Sequence, residues 1–105
     1  MIRPQSLLTL FAILLPLIFA AGPWTPVNPN DPDVKRIGEF AVSENNKQTG
    51  TKLVFQHVVS GDSTPRGAGL WYQIIIAASS ENYLVSVWDR PFLPLELHAF
   101  VKVKN

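Results

Sequence analysis

Hydrophobic and polar positions follow two different periods along this chain, and the change from one to the other falls at Gly50. Before it, Val34, Ile37, Phe40 and Ala41 recur at spacings of three, four and seven, which gathers them on one side of a helix. Lys35, Glu39 and Ser43 lie off that stripe. Asp31 is placed to cap the first turn, and Pro32 fits the first helical position, where no N–H is needed. Asp33 adds negative charge near the positive end of the helix dipole. Gly38 weakens a helix by roughly 1 kcal/mol relative to Ala, so its presence predicts close approach of the helix backbone to a sheet. The polar run Asn45 to Thr49, ending in Gly50, predicts the stop.

After Gly50 the period is two. Thr51 to Val59 alternates, with Leu53, Phe55 and Val59 predicted on one face and Val54, Gln56 and Val58 on the other. Trp71-Tyr72-Gln73-Ile74-Ile75-Ile76, within Leu70 to Ala78, is a β-branched and aromatic run suited to a central strand. Tyr83 to Trp88 reads as a further strand. Leu95 to Val103 closes the series, with Leu95, Leu97, Ala99, Val101 and Val103 on one face. Turn chemistry separates these runs at Ser60 to Leu70, Ser79 to Asn82 and Asp89 to Pro94. The proline-rich stretch Gly22 to Asn30 is expected to be extended, pairing briefly around Trp24 to Val27. One helix must then be packed by one sheet, whose other face meets water. The run Ile74 to Ile76 therefore predicts contact with a neighbouring strand or a liability to associate.

At 105 residues there is room for one domain. Arg3 precedes Leu7 to Ala20, a mostly apolar stretch interrupted by Thr9 and Pro16, too short to span a bilayer comfortably. With the small residues Ala20-Ala21-Gly22 behind it, this reads as a secretory signal peptide over residues 1–20, leaving a domain at 21–105 with no membrane segment after cleavage. Losing Arg3 brings the formal charge from +1 to zero, with no basic run, so nucleic acid is a poor candidate partner. There is no cysteine, which excludes a thiol enzyme, a thiolate metal site and disulfide support. No Asn-x-Ser/Thr acceptor occurs.

Little here could perform catalysis. The chain lacks a phosphate-binding glycine loop ahead of a helix and a metal-spaced His/carboxylate cluster, and no cofactor is implied. A triad could be drawn from Ser60, His57 and Asp62, but residues so close along one strand do not easily reach triad geometry. His57 and His98 are expected to be strand surface residues. A binding module is the better reading.

Ile37-Gly38-Glu39-Phe40-Ala41-Val42-Ser43-Glu44-Asn45-Asn46 resembles the helix signature of plant cystatins, aliphatic-small-charged-aromatic-Ala-Val-x-Glu-x-Asn, departing from it only at Asn45. Leu53-x-Phe55-x-x-Val58-Val59 resembles the family's next strand, and Val87-Trp88-Asp89-Arg90-Pro91-Phe92 its Val-Trp-x-Lys/Arg-Pro-Trp run, with Phe92 for the second Trp. The family's Gln-x-Val-x-Gly loop falls on Pro65-Arg66-Gly67-Ala68-Gly69, where Pro65 replaces Gln and Gly67 replaces Val, so apolar surface is lost from the loop.

The resemblance, spanning Gly22 to Phe100, implies an α+β, cystatin-like fold with one helix across a four- to five-stranded antiparallel sheet. It implies reversible, noncovalent occlusion of the active-site cleft of papain-like cysteine proteases by three segments at one end. Those segments are Gly22 with Trp24, the loop Pro65 to Gly69, and Pro91 with Phe92, the last as an exposed aromatic anchor. The expected state is a monomer, with a domain-swapped dimer as the alternative. Two other readings stay open: a protein of this fold that recognises something other than a protease, and a self-associating protein driven by Ile74 to Ile76.

Overall fold

The computed structural model describes residues 23–104, so the expected leader and its cleavage site lie outside the described residues. Asp31 is extended and its Oδ1 accepts from the Asp33 amide at 2.9 Å, with Pro32 opening helix α1, Pro32–Thr49. The polar run Asn45 to Thr49 forms the last turn, and the helix stops at Gly50 as expected. These side chains lie at the rim and satisfy the chain end themselves. Thr49 Oγ1 donates to the Asn45 carbonyl at 2.8 Å, and the Asn46 amide bridges both backbone groups of Leu53 at 2.9 and 3.1 Å. Only at Gly50, in the left-handed region, does the helix close, with its N–H on the Asn46 carbonyl.

The buried side of α1 consists of Val34, Ile37, Gly38, Ala41 and Val42, with Phe40 partly buried beside them. A Cβ on Gly38 would lie 2.7 Å from the Phe55 ring and 3.3 Å from Ile76 Cγ2, which is the close approach the sequence predicts. Against this side lies a five-stranded antiparallel sheet in the order β1 Thr25–Pro26, β2 Phe55–Arg66, β3 Gly69–Ala78, β4 Glu81–Asp89, β5 Glu96–Lys102. Ile37, Ile74, Ile76, Val85 and Val87 are the largest completely enclosed side chains. Burying each contributes about 1.5–3 kcal/mol, so this helix–sheet contact is the main source of stability.

Strand faces differ from strict alternation at two places. Register shifts between Phe55 and His57 and between Val58 and Ser60 each put an extra residue into β2. Val58 is consequently buried at 6% exposure while Val59 stands out at 41%, the reverse of the expected assignment. In β5 the extra residue is His98, between Leu97 opposite Val87 and Ala99 opposite Ser86. Leu95 and Leu97 pack on the core before it, Phe100 does so after it, and Val101 turns to solvent.

Turns are also shorter than their composition implies. Ser60 to Arg66, expected in a turn region, continues β2 and pairs with Gly69 to Ile75, leaving only Gly67-Ala68 unpaired. Pro65 is tolerated there because β1 covers β2 only at Asp62 and Ser63, so its nitrogen faces an open edge. Of the three isoleucines, Ile74 and Ile76 are enclosed under α1 and Ile75 alone faces outward, partly covered. The run is paired with β2 and β4 on either side, one of the two outcomes expected of it, and its outward apolar surface is Ile75 alone.

The β3–β4 connection is Ser79-Ser80, both with positive φ (48° and 68°), the signs a type I′ turn requires and serine adopts at a cost. Ser79 Oγ accepts from the Val54 amide at 2.9 Å. Ser80→Gly is expected to stabilise the fold by about 1 kcal/mol. Ser79→Gly should gain less, because that hydrogen bond is lost. Urea midpoints of the two variants at equal m-value test the ranking.

Candidate functional site

The register of β3 places two connections side by side. Arg66 pairs with Gly69 across a two-residue turn, while Leu70, the next residue of β3, pairs with Asp89 at the end of β4. The tip Gly67-Ala68 and the connection Arg90 to Leu95 therefore share one end of the sheet. Pro65, Gly67, Ala68, Gly69, Leu70, Asp89 and Pro91 together line a shallow depression of about 520 Å³. Gly67 has φ 60° at the first turn position, as a type II′ hairpin turn takes glycine there. Gly69 is required by space: a Cβ on it would lie 2.1 Å from the Asp89 carbonyl oxygen and 2.9 Å from Arg90 Cα.

Phe92 projects freely. It is fully exposed, has φ 62°, and follows Pro91 in a turn in which the Leu93 amide donates to the Arg90 carbonyl at 3.3 Å. Positive φ on an aromatic residue is rare and costs of order 1–3 kcal/mol. The ring does not tuck against the sheet. Leu93 beside it is half exposed.

The N-terminal segment reaches the same end with its backbone. Thr25 opposes Ser63 and Pro26 opposes Asp62, so Trp24 and Pro23 run toward Pro65 and Arg66. The Trp24 ring, however, lines a separate depression with Ser60, Gly61, Asp62, Gln73, Ile75 and Leu84 on the solvent face. The structure does not bring it into the depression shared by the two loops, because a side chain at that point of the edge strand lies across the sheet. Gly22 lies outside the described residues.

The solvent face behind these loops carries a stack that strand-by-strand reading missed. The Arg66 guanidinium lies over Trp71 at 4.4 Å from its ring centroid, and Arg90 lies over Trp88 at 4.3 Å. Trp71 and Trp88, cross-strand partners, have centroids 6.4 Å apart, and the His98 ring sits 4.8 Å from Trp71. Trp88 Nε1 donates to the Arg66 carbonyl at 3.3 Å. Glu96 accepts from Arg90 and lies 2.9 Å from His98 Nε2. His98 is thus a stacked residue of this cluster, placed there by the β5 bulge. A two-residue turn at Ser79-Ser80 would have revealed the Trp71–Trp88 pairing from sequence, since it fixes the register of both strands.

On the opposite face, Tyr72 is buried beneath this end, and burial pushes its phenol up, with the negative charge of Asp89 adding to the effect. Arg36 on α1 reaches Asp89 at 3.3 Å, an exposed pair worth about 0–1 kcal/mol. His57 lines a different depression from Ser60 and Asp62, so no triad is assembled from them. Among the described residues no group of three or more His, Cys, Asp or Glu could hold a metal ion.

One helix held by a five-stranded antiparallel sheet, with two connections and the entering segment at one end, is a cystatin-like arrangement. The comparisons with known proteins agree with it. The family model for the aspartic acid proteinase inhibitor family SQAPI matches residues 27–103. Cysteine proteinase inhibitor 5 of Arabidopsis thaliana is 45% identical, with 83% of this chain and 79% of that protein covered. Cysteine proteinase inhibitor 1 of Actinidia chinensis is 42% identical, with 80% and 77% covered. The chain belongs to this cystatin-like family of plant proteinase inhibitors.

Two outcomes follow from the packing at this end. Gly69→Ala is expected to cost about 1–3 kcal/mol, because the clash is with backbone, and to displace Arg90 and Pro91; chemical denaturation and amide shifts of residues 89–93 would show both. Tyr72 contributes in the alkaline range. A raised folded pKa favours the neutral phenol, so its contribution is complete below the ordinary value of 10.0 and is lost as pH climbs through the folded value. Stability measured from pH 8 to about 11.5 should fall at the upper end, and Tyr72→Phe should flatten that fall.

Proposed function

We propose that the protein is a secreted inhibitor of papain-like cysteine proteases that occupies the active-site cleft reversibly and without a covalent bond. The observation that carries this reading is the juxtaposition of Gly67-Ala68 with Pro91-Phe92, the latter presenting a fully exposed ring. The names of the relatives, both cysteine proteinase inhibitors, support the target class. The leader-like residues 1–20 support secretion.

Tight hairpin turns suit this task because they present backbone to a groove without an extended scissile peptide. The chain has no cysteine with which to form a disulfide to a catalytic thiol, and the proposed contact is noncovalent. A standard interface of this kind buries about 800 Å² per partner, with a few aromatic anchors dominating the energy. With Pro65 and Gly67 in place of Gln and Val, the first loop offers little apolar surface, and Phe92 with Leu93 carries more of the contact. Gly22 and the backbone of Trp24 would lie alongside as the third segment.

A second reading has its own support, since the matching family model is described by aspartic acid proteinases. Parallel titrations of papain and of an aspartic proteinase with the purified protein separate the two. Stoichiometric, dilution-reversible loss of papain activity is expected; inhibition of the aspartic proteinase alone would replace the first reading by the second, and inhibition of neither would overturn both. Phe92→Ala is expected to weaken papain inhibition by about 1–3 kcal/mol with unchanged folding stability. Equal inhibition constants for the two proteins would remove Phe92 from the contact.

A further inference from the structure

Each of the two loops at the candidate contact end is too short to hold its own shape through packing. Gly67 and Ala68 are exposed, and so are Pro91, Phe92 and Leu93. Such loops ordinarily lose affinity to the ordering that binding demands. Behind them, however, one indole is in contact with the root of both. Trp88 Nε1 donates to the carbonyl of Arg66, the residue before the first turn. The guanidinium of Arg90, the first residue of the second connection, lies over the same ring, 4.3 Å from its centroid.

Further contacts fix that ring in turn. Trp71 stands across from it on β3, with Arg66 on its own face and His98 against it. Glu96 holds Arg90 and His98 together. Arg90 Nε is closed off from water without a hydrogen-bond partner, so the guanidinium stays in place through its ring contact and its pair with Glu96. The two loops are thus fastened to one cluster on the solvent face of the sheet, on the side away from α1.

We propose that Trp88 is a positioning residue: seated on Trp71, it holds the Gly67-Ala68 turn and the Arg90–Phe92 connection in a fixed mutual geometry for target binding. The proposal deepens the inhibitory reading and rests on it for the binding arm alone. Trp88→Phe keeps a ring under Arg90 and removes the hydrogen bond to the Arg66 carbonyl. Trp71→Leu removes the ring beneath Arg66, and Trp71→Phe restores a stacking surface there.

The test has two readouts on the full mature protein. Amide hydrogen exchange at Gly69, paired with Arg66, and at Leu93, whose amide donates to the Arg90 carbonyl, is expected to rise about threefold to tenfold in Trp88→Phe, the range that one lost hydrogen bond allows. Exchange at Ile74, Ile76 and Val85 in the core should not change. The inhibition constant for papain is expected to rise by a similar factor, mostly through faster dissociation. Trp71→Leu should act in the same direction, and Trp71→Phe should recover most of the loss.

Unchanged loop exchange in both Trp88→Phe and Trp71→Leu would overturn the proposal. So would faster loop exchange with an unaltered inhibition constant. If exchange accelerates only together with the core amides, the cluster is merely structural and the proposal fails. If the unsubstituted protein inhibits no protease while the loop amides still accelerate selectively, the inhibitory reading falls, and the fastening of the loops by Trp88 stands.

Discussion

Among the described residues the structure depends on one contact, the packing of helix α1 against one side of the five-stranded sheet. Ile37 and Ala41 on α1 meet Ile74, Ile76, Val85 and Val87, and the missing side chain at Gly38 lets the helix backbone come down onto Phe55 and Ile76. The chain has no disulfides, and among the described residues the helix covers one face of the sheet.

That constraint explains the irregularities of the sheet. Strands of nine to twelve residues are long for one helix to cover, and strict alternation along them would send apolar side chains to water at one end or the other. Bulges in β2 and at His98 of β5 reset the alternation, keeping Val58, Leu97 and Phe100 on the covered side. Such bulges bend a strand and increase its local twist. The uncovered side is managed differently. There, tryptophan, arginine, histidine and glutamate side chains cover one another, exposing polar tips while their rings and stems pack together.

Function then follows from what happens where the sheet stops. Short turns leave backbone at the end of the fold with no helix or strand over it, and the antiparallel register of β3 with both β2 and β4 brings two such turns together. Gly69 allows the second connection to pass against the first at a distance that admits no side chain. A rigid body with blunt projections of this kind can fill a groove without undergoing large rearrangement, and that is the physical basis for reading it as an inhibitor.

Much of this was legible in the sequence. The helix, its cap at Asp31, its buried stripe, its end at Gly50 and the reason for Gly38 follow from local rules, since they involve residues within a turn or two of one another. The existence of the strands and the exposure of a Pro91-Phe92 tip were legible too. The faces of β2 and β5 were not, because a bulge depends on the partner strand and reverses every assignment beyond it. The length of the first turn was likewise decided by pairing, which drew Ser60 to Arg66 into a strand despite their turn-like composition. The Trp24 ring and the cluster around Trp88 were decided only by tertiary structure, because side chains from four strands, distant in sequence, come together through register alone.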